Sequence, residues 1–387
     1  MVSNARTVVL HGGTLVDANG ERRDGWLEVR DGVIASLGNG DGWRALPGDP
    51  GAVVDARGGI VAPGFVDIHG HGGGGASFGI DAEQTVAALA AHRAHGTAYA
   101  VASLVTNPIP VLEQQLRDLR AAMDHHPHLW GAHLEGPFLA PARKGAHAPQ
   151  HLCHPTSDVV SRLLEAGAGV LRQITIAPEL PGADEAIERF VDAGVVVAVG
   201  HTSADHDTAQ RAFDRGATLV THAFNAINPI ESRAPGPLVA AFADPRVTLE
   251  LIADGVHVDP RLLAFAFRMA PGRIALITDA MSAAGSDEGQ YTLGDLTVSV
   301  RGGRVVVVGT DTLAGSVLTQ DQALRVVTGA GVPLTDAIAA LTTTPACVMG
   351  RDRADHVLRE GAPANLVVLD PNLAVTAVVA RGVLQGL

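Results

Sequence analysis

Six short apolar runs in this chain end in a histidine or a carboxylate. FVDIHGH places His69 and His71, LWGAHLE places Glu135, and VVVAVGH places His201. ATLVTH ends in His222, VTLELIAD in Asp254 with His257 just beyond, and RIALITD in Asp279. Imidazole and carboxylate donors of this mix suit a divalent cation: Zn2+ foremost, with Fe2+, Mn2+ or Co2+ as alternatives. His69 and His71 are two apart, so on a strand their side chains point the same way and can face one ion. The carboxylates Asp254 and Asp279 add groups that could take up or deliver a proton.

The same opening stretch, 66-VDIHGHGGGGASF-78, also contains Gly70-x-Gly72-x-x-Gly75, the spacing of a dinucleotide-binding turn. That turn requires a helix to open at its third glycine and an acidic residue about 20 positions on. Here ASFGI intervenes before any helical pattern, and no Asp or Glu lies between Glu83 and Glu113. No Gly-Lys-Ser/Thr follows a glycine loop anywhere in the chain. The glycines are therefore expected to let the chain turn tightly beside a metal site. His92, His95, His125, His126, His128, His151, His154 and His356 fall in helical or loop stretches without a partner set and are expected to be structural.

These side chains can meet only if the fold gathers strand ends from across more than 200 residues. The strand candidates are 65–69, 97–105, 129–135, 171–177, 195–201, 217–222, 247–254 and 273–279. Helical patterns fall between them at 81–94, 109–124, 182–193, 205–214 and 260–269, with two more near 316–329 and 334–341. Eight such repeats predict an α/β fold, a (β/α)8 TIM-type barrel, whose C-terminal strand ends share the face that carries active sites. A doubly wound open sheet is the alternative. Residues 1–60 and 355–387 read as short strands and predict a small β-sandwich domain built from both termini, with the barrel over 61–354 and a hairpin insertion near 291–309.

The 387 residues exceed what one core usually fills, roughly 250–300 residues, in keeping with two domains. A net charge of -13 argues against nucleic acid or an acidic membrane as partner, and an anionic substrate would need locally placed cations. Two cysteines, Cys153 and Cys347, provide neither a disulfide framework nor a cysteine zinc motif. They suit a reducing compartment. The start MVSNARTVVLHGG has no long apolar stretch and no run approaches the length of a membrane span, so a cytoplasmic protein is expected.

The motif 63-PGFVDIHGHGG-73 on such a barrel resembles the amidohydrolase superfamily. HLEGPF (133–138), KGAH (144–147), TIAPE (175–179), GHTSA (200–204), THAFNAI (221–227), IADGVHV (252–258), LITDAM (276–281) and LAGS (313–316) resemble, in order and spacing, the N-acetylglucosamine-6-phosphate deacetylases. The resemblance implies hydrolysis of an acetamide on a phosphosugar, with one or two divalent ions per chain. It implies Glu135, His201 and His222 as ligands of a shared metal, and His69 and His71 as the pair that holds a second. Asp279 would be the catalytic acid/base and His257 the contact near the acetyl carbonyl. His147, Asn225, Ala226, Arg233 and Leu313 would contact substrate, with His147 and Arg233 near the phosphate and Arg233 reaching across a homodimer. Phe224 stands where that family commonly has Tyr, and Ala146 where it commonly has Thr. Other N-acetyl hexosamine 6-phosphates and cyclic amides remain open as substrates, as does a non-catalytic scaffold.

Overall fold

The computed structural model describes residues 7–49 and 51–386. Eight parallel strands follow one another in chain order: Phe65–Gly70, Thr97–Val105, Leu129–Glu135, Leu171–Ile176, Val196–Val199, Leu219–Val220, Thr248–Ile252 and Ile274–Ile277. Helices connect them, so the alternating pattern yields the expected barrel rather than an open sheet. The first and last strands meet at their C-terminal ends. There Asp279 N donates to His69 O at 2.8 Å, His71 N donates to Ala280 O at 2.7 Å, and the Thr278 hydroxyl donates to Asp67 Oδ2 at 2.6 Å. Strands such as Phe65–Gly70 and Leu129–Glu135 are buried at every position, because helices cover one face and barrel side chains the other.

The connecting helices start where a side chain can cap them. Asp81 accepts from Gln84 N at 2.7 Å before Ala82–Ala94, and Asp205 accepts from Thr208 N at 2.8 Å before His206–Asp214. Ser157–Ala166, Gly236–Ala243 and Thr343–Val348 are helices beyond those expected. Ser157–Ala166 carries a readable signal, an amphipathic SDVVSRLLEA capped by Thr156. Gly236–Ala243, GPLVAAFA, has no polar face to read because it is largely buried.

Strands from both ends of the chain form one further eight-stranded sheet. Leu366–Leu369 pairs antiparallel with Ile60–Pro63, which lies parallel to Thr7–Asp17. The sheet wraps around a core of its own, including Leu10, Leu27, Ile34, Leu366 and Val379. The insertion expected as a hairpin near 291–309 has three strands, Gly289–Leu293, Leu296–Arg301 and Arg304–Val307. Its first turn passes through Gly294 at φ 55°, and Val298, Val300 and Val305 pack on Met281 and Ala314. Among the described residues, no helix is long and apolar enough to cross a membrane.

Candidate active site and metal centre

Three of the site residues stand just past the strands that deliver them. His201, His222 and Asp279 have φ of 47°, 25° and 48°, left-handed values that a non-glycine residue rarely adopts. The turn ends strand pairing early, which is why the fifth, sixth and eighth strands stop short of the expected ends. It also swings each side chain over the mouth of the barrel. Strain at such positions persists only where surrounding contacts impose it. The glycine run beside His71 is packed rather than open. A Cβ at Gly72 would meet Ala76 O at 2.3 Å, and one at Gly73 would meet His92 Nε2 at 2.8 Å. The next helix opens at Ala82, well beyond Gly75, so nothing there forms a phosphate-binding helix start.

The imidazoles converge on Glu135, which is 3% exposed. Its Oε1 lies 3.1 Å from His201 Nε2, 2.9 Å from His222 Nε2 and 3.5 Å from His69 Nε2. Its Oε2 lies 3.1 Å from His71 Nε2 and 3.3 Å from His147 Nε2. Asp279 Oδ1 sits 3.2 Å from His71 Nε2 and 3.5 Å from His69 Nε2.

The partners of the other ring nitrogens assign the tautomers. His71 Nδ1 faces Ser103 O at 3.2 Å and His201 Nδ1 faces Arg143 O at 2.7 Å. A carbonyl only accepts, so both Nδ1 atoms carry a proton, and both Nε2 atoms face Glu135 as the positions open to a cation or to a second proton. His69 Nδ1 donates to Glu250 Oε2 at 3.0 Å, leaving His69 Nε2 buried without a hydrogen-bond partner. His201 Nε2 and His222 Nε2 stand only 3.0 Å apart. His147 is different. Its Nδ1 accepts from Thr106 N at 3.3 Å, so its Nε2 proton goes to Glu135. It is thereby engaged at the Glu135 carboxylate while still lining the cavity above.

These donors fit a divalent cation. Lone pairs aimed at one another and at carboxylate oxygens repel unless positive charge lies among them. The proton equilibria make the same demand. Burial works against charge on His71, yet its hydrogen bonds to Asp279 and Glu135 push it up to about 9. Burial likewise opposes charge on His69 and His222, and the neighbouring carboxylates outweigh it, raising both. On His201 burial wins, lowering it to about 4. Burial would raise Glu135, but His69 and His147 beside it hold it well below the ordinary carboxylate range. Asp279 is also lowered, the bond to His71 and the charge of His69 overcoming burial. Two subsets bring donor atoms close enough to hold an ion: His69, His71, Glu135 and Asp279, and Glu135, His147 and His201. The tautomer of His147 removes it as a donor, and His222 Nε2 fills that side of Glu135.

Above this cluster lies a cavity of about 430 Å³. His147, Asn225, Ala226, His257 and Leu313 line it, with Arg143 as a cation at its wall. His257 is held by Asp254, whose Oδ2 accepts from Nδ1 at 2.7 Å while Oδ1 accepts from the backbone N of Val256 and His257, each at 2.8 Å. Burial would raise Asp254, but His257 outweighs it and keeps the carboxyl below its ordinary value. Arg143 Nη2 donates to Asn228 Oδ1 at 2.6 Å, and Lys144, the chain's single lysine, follows it on the same turn. Arg233 is exposed and does not line the cavity of its own chain.

Several supporting residues were not singled out from the sequence. Glu250 is fully buried in the seventh strand, and Asp67 is buried in the first, where burial raises its carboxyl. His133 bridges Ser103 Oγ and Thr175 Oγ1, both at 2.9 Å, with its ring edge-on to His69. A charged residue in mid-strand among aliphatics, as Glu250 is in VTLELIAD, is the signal that could have found it.

An amidohydrolase family model matches residues 60–386. The N-acetylglucosamine-6-phosphate deacetylase of Bos taurus is 36% identical over 343 residues, 85% of this chain and 84% of its own length. The N-acetylgalactosamine-6-phosphate deacetylase of Escherichia coli O157:H7 is 34% identical over 381 residues, 97% of this chain and 98% of its own. A mutant N-acetyl-D-glucosamine-6-phosphate deacetylase from Mycobacterium smegmatis, solved in complex with N-acetyl-D-glucosamine-6-phosphate, matches with a TM-score of 0.90 at 42% identity, covering 98% of each chain.

Proposed function

The chain belongs to the amidohydrolase family, and from that premise we propose that it hydrolyses the acetamide of N-acetylglucosamine 6-phosphate to glucosamine 6-phosphate and acetate. The observation that carries the reading is Asp279: an ionised carboxylate at the base of the cavity, within 3.2 Å of an imidazole of the metal-ligand group. Glu135, His201 and His222 would hold one divalent cation, zinc first among the candidates. His69 and His71, with Glu135 and Asp279, would hold a second. A cation there supplies Lewis acidity, making water a better acid and a carbonyl a better electrophile.

The chain's own residues do the rest. Asp279 takes the proton of the attacking water and passes it to the amide nitrogen as the C–N bond breaks. His257 is braced by Asp254 and faces the acetyl oxygen; when its Nε2 also carries a proton, it donates to the oxygen as negative charge develops. Asn225, Ala226 and Leu313 position the sugar. Arg143 supplies positive charge within the chain for the phosphate. Arg233, absent from its own cavity, fits a homodimer in which it reaches the neighbouring site. Free Cys153 and Cys347 fit a cytoplasmic enzyme.

The second reading, turnover of N-acetylgalactosamine 6-phosphate, is favoured by the relative that carries that name. Acetate release from both phosphosugars and from unphosphorylated N-acetylglucosamine decides between them by kcat/KM. No release from either phosphosugar by metal-loaded protein would sink both readings.

A further inference from the structure

We propose that Glu250 is a positioning residue that fixes the proton on His69 and so turns that ring's lone pair toward the cation; this rests on the proposed function only for the presence of a cation. Glu250 is fully buried in the centre of Thr248–Ile252. Its Oε2 accepts from His69 Nδ1 at 3.0 Å and from His222 N at 3.3 Å, and its Oε1 accepts from Gln173 Nε2 at 2.9 Å. The carboxylate thus binds one ligand by its side chain and another by its backbone.

The tautomer follows from the partners. Both Glu250 oxygens already accept, one from His222 N and the other from Gln173 Nε2, so toward His69 the carboxylate also acts as acceptor and the His69 proton resides on Nδ1. His69 Nε2 then has no hydrogen-bond partner and aims at Glu135 and Asp279. Without Glu250 the preference reverses. A neutral His69 would place its proton on Nε2, between the carboxylates of Glu135 and Asp279, and a protonated Nε2 cannot bind a metal. Partners of this kind, one hydrogen bond removed from the ion, typically control metal affinity about 10- to 100-fold.

Two substitutions separate the acceptor from its charge. Glu250→Leu removes the acceptor and leaves a side chain of similar bulk. Glu250→Gln can keep its oxygen toward His69 if Gln173 turns its amide, and the unpartnered Gln173 Oε1 is free to receive the new NH2. Metal content and zinc affinity, measured by competition with a chelator and no substrate, should fall about 10- to 100-fold in Glu250→Leu. Glu250→Gln should recover most of the loss. Unchanged affinity in folded Glu250→Leu overturns the assignment. Should that variant not fold, 15N NMR of the zinc-loaded wild type reads the same point. A proton on His69 Nδ1 supports the assignment, and one on Nε2 overturns it. Neither readout involves the sugar, so the deacetylase reading stands or falls separately on acetate release.

Discussion

Replacing Asp279 by Asn keeps the shape of the side chain and removes its ability to take a proton. In the native site Oδ1 is 3.2 Å from His71 Nε2 and 3.5 Å from His69 Nε2, and those neighbours hold the carboxyl below its ordinary value. At neutral pH the residue is therefore a ready proton acceptor. General acid–base catalysis by one side chain contributes about 10²–10⁴ in rate. Asp279 is asked both to accept the water proton and to deliver it to the amide nitrogen, so the loss in kcat should lie near the top of that range. A loss of about 10³–10⁴ corresponds to roughly 4–5.5 kcal/mol of barrier. The assay is acetate release at saturating phosphosugar, with metal content measured on the same sample because Asp279 is also one of the groups that could hold an ion. The wild-type rate should fall on the acid side as Asp279 protonates, and the residual activity of the Asp279→Asn variant should lack that limb. A variant with full metal and a kcat within tenfold of wild type would refute the assignment.

Three further outcomes are expected. Replacing His69 by Gln and His71 by Asn should lower metal content by about one ion per chain, read by elemental analysis; unchanged content would remove the pair from the site. Arg233→Ala should raise KM for the phosphosugar and leave the unphosphorylated sugar unaffected, and an unchanged KM would exclude a phosphate role. The third concerns pH. In metal-free protein His71 is raised from 6.5 to about 9, so its stabilising contribution is complete below pH 6.5 and disappears as pH rises through 9. His69 and His222 are raised as well and act in the same direction. The Tm of chelator-treated protein should thus fall between pH 6.5 and 9, while metal affinity rises because the cation displaces those protons. A Tm that climbs across this window would contradict the assignment.

Much of the fold was legible because parallel barrel strands are short aliphatic runs and their connecting helices have a polar face. Thr97–Val105, Leu129–Glu135 and Leu334–Leu341 fall on their expected limits. Gly236–Ala243 was hidden because burial removes the polar stripe. Strand ends at His201, His222 and Asp279 were overextended because left-handed backbone leaves no trace in composition. Of the side chains expected at the metal site, His71, Glu135, His201 and His222 line one cavity, and His69 is buried with its Nε2 3.5 Å from Glu135. Arg233 is exposed and does not line that cavity.

The sequence by itself determined the types of the candidate donors and the strand on which each rides, since residue identity and the apolar period are local properties. It also carried the family's motifs in order. The tertiary structure decided how those groups are protonated and aimed. His69 is set by Glu250, 181 residues away, and His201 by the carbonyl of Arg143, 58 residues away. His147 is set by the backbone N–H of Thr106, which leaves its Nε2 proton facing Glu135. A hydrogen bond depends on distance and angle between groups remote in the chain, so only the closed barrel could assign which nitrogen keeps its proton and which offers its lone pair.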